Sequence, residues 1–200
     1  MNSLIIFVLT LFNVIISLFI LRIWCQYLRV NTNNVIARTI LLFTRQAINL
    51  AGNKVKNGFN ISACIIIAAL VFIKLSVEYF IIFDVGDIIE NNGSMLVILV
   101  YFALKPVLFI IKLFFIVLLT VVIVDAILSW FGYTPIKSMT SSMLMPVYQK
   151  MRRFIPPIGM IDITPMILIF GLYILEYLAE VLFSQMFGAP FAIFLCSALV

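Results

Sequence analysis

The sequence predicts an all-α polytopic membrane protein with four transmembrane helices, arranged as two hairpin repeats of the same (parallel) orientation, each with a basic amphipathic joint between its two helices. Three observations carry this. First, 65% of the 200 residues are hydrophobic and only 10% are charged, with a mean hydropathy of +1.26. A water-soluble domain has about a quarter charged residues, so polar groups cannot cover this chain and lipid must serve as its solvent. Second, long apolar runs recur between shorter polar connections. Third, the connections alternate in charge along the chain, basic, then acidic, then basic.

The net charge of +5 therefore concerns orientation and anionic headgroups. The aqueous surface is too small for a folded nucleic-acid-binding module, and direct nucleic-acid binding is not expected. Three scattered cysteines and no histidine imply no disulfide framework and no metal site or axial-histidine haem site, and no cofactor is expected.

The first apolar run, Leu4 to Leu21 and extending toward Tyr27, has no basic residue before it and is followed by Arg22 where a cleaved leader would show small residues. It is expected to stay as helix 1, with Arg22, Trp24 and Tyr27 at the interface. Residues 29–62 carry Arg29, Arg38, Arg45, Lys54 and Lys56 without an acid. Within them, Val35 to Leu50 reads as an amphipathic helix lying on the membrane, with Arg38 and Arg45 on one face. Asn57-Gly58 signals a turn before helix 2.

Helix 2, Ile61 to about Phe83, contains Lys74 and Glu78 four residues apart. An unpaired charge in hydrocarbon costs several kcal/mol, so the two are expected to pair internally. Asp84, Asp87 and Glu90 form the acidic connection. The next run, Met95 to Phe131, would reach about 55 Å as one straight helix, nearly twice the hydrocarbon thickness. Pro106 is expected to divide it, leaving Met95 to Leu104 as an interfacial or re-entrant piece or as a long protruding helix end, and Phe109 to Phe131 as helix 3, with Asp125 near its end.

The second basic connection carries Lys137, Lys150, Arg152 and Arg153. A second interface helix is expected there, closed by Pro156-Pro157, with Gly159 breaking regularity, Asp162 capping helix 4 and Pro165 in its first turn. Helix 4 spans about Thr164 to Phe183 with Glu176 and Glu180 four apart, and the apolar tail from Phe187 lies along the interface.

By the positive-inside bias the two basic connections are cytoplasmic and both chain ends lie outside. The halves, residues 1–90 and 91–200, then read as two repeats related by an axis along the membrane normal. Leu21 to Tyr27 can be laid on Val124 to Trp130, and Asn60-Ile61-Ser62 on Met160-Ile161-Asp162. On that alignment Arg22 and Asp125 occupy equivalent depths and are expected to pair, and Lys74 is expected near Glu176 or Glu180.

No nucleophile and base stand together and no glycine-rich phosphate loop exists, so catalysis is not expected. Lys150, Arg152 and Arg153 suit anionic phospholipid headgroups or a membrane protein partner, including a second copy of the chain. The alternative is a small transporter or channel component built on Lys74, Glu78, Asp125, Glu176 and Glu180.

The string Pro146-x5-Arg152-Arg153-Phe154-Ile155-Pro156-x2-Gly159-x-Ile161-Asp162-x2-Pro165-Met166-Ile167-Leu168 resembles the signature of the YggT family of small integral membrane proteins. Ala126-Ile127-Leu128-Ser129-Trp130 and Arg22-Ile23-Trp24-x-Gln26 match as well. The resemblance implies two YGGT repeats and residence in the bacterial cytoplasmic (inner) membrane or a plastid thylakoid. It also implies a role without established enzymatic activity, in membrane-complex assembly, division or osmotic tolerance. The first joint departs from the family pattern, with Gln46, Asn49, Gly52 and Asn53 where proline-framed arginines are usual.

Overall fold

A computed structural model of the chain describes residues 3–30, 34–52, 54–56, 59–82, 95–129, 134–153 and 163–187; at 56, 59, 79–82, 95–102, 179–180 and 182–187 it describes the backbone alone. Six helices occur among them: α1 (Ser3–Tyr27), α2 (Val35–Leu50), α3 (Ile61–Ile82), α4 (Met95–Leu128), α5 (Pro135–Met151) and α6 (Thr164–Phe187). The order long helix, surface helix, long helix thus occurs twice. α1, residues Ile61–Glu78 of α3 and residues Ala103–Leu128 of α4 are long and apolar enough to cross a membrane, and α6 contributes the shorter apolar stretch Thr164–Leu178.

α1, α3 and α4 share the main core. Ile16, Phe19 and Ile20 of α1 meet Ala63, Ile67 and Val71 of α3 and Phe109, Leu113, Val117 and Val121 of α4, joined by Ile48 of α2 and by Leu144 and Tyr148 of α5. A second cluster, Cys25, Val30, Ala37, Ile40, Met139 and Met143, joins the end of α1 to α2 and α5. Cys25 Sγ lies 3.8 Å from Met143 Sδ there. α6 packs chiefly on α4.

α2 is amphipathic, as its sequence predicts. Ala37, Ile40, Thr44 and Ile48 recur at helical spacing and are buried. Arg38, Arg45 and Asn49 form an exposed polar stripe, while Val35, Leu42, Phe43 and Leu50 present apolar surface beside it, Phe43 being 79% exposed. That pairing of stripes suits a helix lying where headgroups meet acyl chains. Asn34 starts it: Oδ1 accepts the Ile36 N–H at 3.0 Å, while Nδ2 donates to the Pro135 carbonyl at 2.6 Å, so one side chain ties together the first turns of both surface helices. Thr134 caps α5 in the same way, accepting from Lys137 N–H at 3.1 Å, with Pro135 at the first helical position.

The corner between α2 and α3 is fastened by its own residues. Val55 pairs with Asn60 and Lys56 with Phe59 in a two-residue antiparallel ladder, and the expected Asn57-Gly58 turn lies outside the described residues. Ser62 Oγ accepts the Lys54 N–H at 2.7 Å and donates to the Ala51 carbonyl at 3.2 Å, and Asn60 Oδ1 caps α3 by accepting from Ala63 N–H. Gly52 turns the chain out of α2 with φ of 86°, a conformation an L side chain resists.

Of the alternatives for Met95 to Leu104, the helix end is the one found: α4 runs unbroken through Pro106, so these residues belong to the same helix as Phe109 onward and form no separate interfacial piece. The missing proline N–H costs one hydrogen bond, whereas unwinding a turn among apolar residues would expose several backbone groups to a medium that cannot satisfy them. α6 also continues past Phe183 to Phe187. The acidic connection at 84–93, the segment from Phe154 to Asp162 and the tail beyond Phe187 lie outside the described residues.

Candidate functional site

In each half, the end of the long helix sends one charged side chain into the surface helix that follows. Arg22 is only 6% exposed; its Nη1 donates to the Leu41 carbonyl at 2.7 Å and to Thr44 Oγ1 at 2.5 Å. Thr44 Oγ1 in turn donates to the Ile40 carbonyl at 2.7 Å, so the hydroxyl is used in both directions. Asp125, also 6% exposed, does the reverse job on α5. Its Oδ1 accepts from Thr140 Oγ1 at 2.7 Å and Ser141 Oγ at 2.8 Å, and its Oδ2 accepts from the Tyr148 hydroxyl at 3.3 Å.

The expected Arg22–Asp125 ion pair is therefore not formed. Each charge is instead bonded within its own half, Asp125 to three hydroxyls and Arg22 through Nη1 to a hydroxyl and a carbonyl, while Arg22 Nε is buried without a hydrogen bond among the described residues. What survives of the alignment is the positional correspondence: both residues anchor a surface helix to the long helix before it.

Lys150, Arg152 and Arg153 stand exposed at the end of α5, the helix that Asp125 fixes. The Arg152 guanidinium lies 5.9 Å from the centre of the Tyr148 ring, and Tyr148 is itself a ligand of Asp125. Cation, ring and carboxylate thus form a chain from the surface into the helix packing. Pro165 sits in the first turn of α6 as expected. Pro156, Pro157, Gly159 and Asp162 fall outside the described residues.

A second charged group is internal. Lys74 Nζ lies 3.2 Å from Glu78 Oε1, and Lys105 Nζ of α4 lies 3.2 Å from Glu78 Oε2, so one carboxylate bridges two lysines and two helices. Lys74 is 1% exposed, and its ammonium also lies 3.9 Å from the centre of the Phe109 ring. Both the expected Lys74–Glu78 pair and its buried placement are found. Of the further expectation, Lys74 near Glu176 or Glu180, the Glu176 pairing is not formed: the ionic partner of Lys74 among the described residues is Glu78, and Glu176 is half-buried on α6 with no ion pair among them, while the side chain of Glu180 lies outside them.

Sequence reasoning missed Lys105, because the assumed break at Pro106 placed it at an interface where a lysine needs no partner. A lysine in a 34-residue apolar helix does need one. It also missed Thr140, Ser141 and Tyr148. Their signal was Thr140 and Tyr148 at eight-residue spacing, hence on one face, following a lone intramembrane aspartate.

Among the described residues no group of three or more His, Cys, Asp or Glu side chains converges to hold a metal ion. Residues 104–183 match the model of the CCB3/YggT family. The chain is also similar to a protein of Vibrio alginolyticus described as "Uncharacterized protein in proC 3'region", with 31% identity over 180 residues that cover 89% of this chain and 94% of the relative. No solved structure matches it significantly.

Proposed function

This chain belongs to the CCB3/YggT family, and from that membership and the geometry above we propose that it is a non-catalytic integral membrane scaffold or assembly factor. The observation that carries the reading is the mounting of the α5 terminus. Lys150, Arg152 and Arg153 project from a helix that Asp125 holds through three hydroxyls, which is the construction expected of a surface kept in one orientation for recognition. The contact takes anionic phospholipid headgroups, each cation adding on the order of 1 kcal/mol, together with a membrane protein partner or a second copy of the chain.

In this proposal α1, α3, α4 and α6 are four spans forming two repeats, 1–90 and 91–200, in the bacterial inner membrane. Both basic surface helices face the cytoplasm and both chain ends face outward. The joining of α2 and α5 through Asn34 and the shared Met139 and Met143 cluster supports placing them on one side. Cysteines substituted for Lys56 and Lys150 are accordingly expected to react with an impermeant maleimide only from the cytoplasmic side, and one substituted for Asp87 only from the outside. Labelling of the first two from opposite sides refutes the arrangement.

Replacing Arg152 and Arg153 together by Gln is expected to leave insertion and orientation unchanged while at least about tenfold less partner is recovered after crosslinking in the native membrane. Unchanged recovery from correctly oriented protein refutes the scaffold reading. The alternative, a small transporter component using Lys74, Glu78, Asp125, Glu176 and Glu180, draws on the buried Lys74–Glu78–Lys105 group, but that group is engaged with itself across α3 and α4, which favours a packing role. Solute or ion flux in liposomes, abolished by Glu176→Gln, is the result that would favour transport instead.

A further inference from the structure

The three long apolar helices do not close completely on one another. Between them lies a cleft of about 730 Å³, lined by Ile20, Trp24 and Tyr27 of α1, Cys64 and Ile67 of α3 and Phe114 of α4 with their neighbours. Every lining residue belongs to one of the three stretches able to cross a membrane, and none carries a formal charge. The Trp24 and Phe114 rings meet at 5.6 Å between centroids, forming an aromatic wall. Tyr27, 66% exposed, stands at the end of α1 and marks the mouth.

Two exposed basic residues border the chain positions that line this end of the cleft. Arg29 follows Tyr27 by two positions and is exposed, its backbone held in a left-handed conformation with φ of 52°. Lys54, also exposed, is fixed at the start of α3: its carbonyl accepts the Ile61 N–H at 3.0 Å, within one helical turn of Cys64 on the cleft wall. The size falls within the roughly 300–1,000 Å³ typical of small-molecule sites. An apolar slot in the acyl-chain layer with cations at its open end matches a ligand that has a long hydrocarbon tail and an anionic head.

We propose that this cleft holds one acyl chain of an anionic phospholipid, with the phosphate placed between Arg29 and Lys54. Charge complementarity selects this occupant over a zwitterionic lipid, whose ammonium would face the same two cations. The site is separate from the α5 surface, so it stands whether or not Lys150, Arg152 and Arg153 recruit a partner.

Trp24 reports on the cleft directly. The second tryptophan of the chain, Trp130, is first replaced by Phe, and the protein is reconstituted in zwitterionic vesicles doped with a minor fraction of brominated-chain phosphatidylglycerol or brominated-chain phosphatidylcholine. The anionic probe is expected to quench Trp24 at a concentration roughly fivefold lower than the zwitterionic one. Arg29→Gln with Lys54→Gln removes that preference while leaving quenching at high probe concentration. Ile67→Phe, and independently Cys64→Phe, fill the cleft and cut quenching by both probes, with helix content unchanged by circular dichroism. Equal quenching by the two probes in the parent protein overturns the proposal. So does quenching that survives both filling substitutions in folded protein. Shielding of Trp24 that rises with protein concentration in place of lipid assigns the cleft to a second copy of the chain and likewise overturns it.

Discussion

Glu78→Leu is expected to abolish most of the folded protein recovered in detergent, because it leaves Lys74 and Lys105 buried opposite one another with their shared carboxylate gone. Breaking a buried ion pair from one side costs about 3–5 kcal/mol, a large share of the stability a domain of this size has. The charge group is also a direct polar tie between α3 and α4, so its loss loosens two helices of the main core. Replacing all three residues by apolar side chains of similar volume, Lys74→Met, Glu78→Leu and Lys105→Met, is expected to restore folding to near the parent level, since no unpaired charge remains. Monodisperse yield and the unfolding midpoint in detergent measure both outcomes. A triple variant as poorly folded as Glu78→Leu would mean that the charges do more than hold each other.

Asp125→Ala should have the second largest effect. It strips the acceptor from Thr140, Ser141 and Tyr148 at once, and hydrogen bonds to a charged group contribute about 1.5–3 kcal/mol each, with overlap between them. A net loss of roughly 3 kcal/mol is expected, expressed as release of α5. A cysteine placed at Ser141 reports it, reacting slowly with a water-soluble thiol reagent in the parent and at least about tenfold faster in Asp125→Ala. Asp125→Asn, which retains one carbonyl acceptor, falls between. Because Arg22 is bonded to α2 and not to Asp125, the losses from Arg22→Gln and Asp125→Ala should add. A coupling above about 1 kcal/mol between them would show that the halves communicate through these charges.

Which features could be read in advance follows from how local their causes are. α2 was legible because its polar stripe, Arg38 and Arg45, and the apolar Ile40 and Ile48 that it buries are written in its own spacing. Lys74 and Glu78 were legible as a pair for the same reason, one turn apart on one helix. Lys105 was not. Its partner is 27 positions away, and the adjacent Pro106 carries a helix-breaking signal that the surrounding apolar sequence overrides. The partners of Arg22 and Asp125 were misjudged because opposite charges suggest each other, while a carboxylate can equally be satisfied by hydroxyls one element away. The resemblance in the second joint located Lys150, Arg152 and Arg153, but their firm mounting became visible only through the three-dimensional approach of Tyr148 to Asp125.

The continuity of α4 sets a geometric condition on its surroundings. A 34-residue helix is a rod of about 51 Å, and even residues Ala103–Leu128 measure about 39 Å, against some 30 Å of hydrocarbon. That stretch fits only if it leans by roughly 40°, at the steep end of what spanning helices adopt, or if the bilayer thickens around it. Since α5 is moored to Asp125 near the end of this rod, the inclination that bilayer thickness imposes on α4 also sets the direction in which the basic terminus of α5 is aimed.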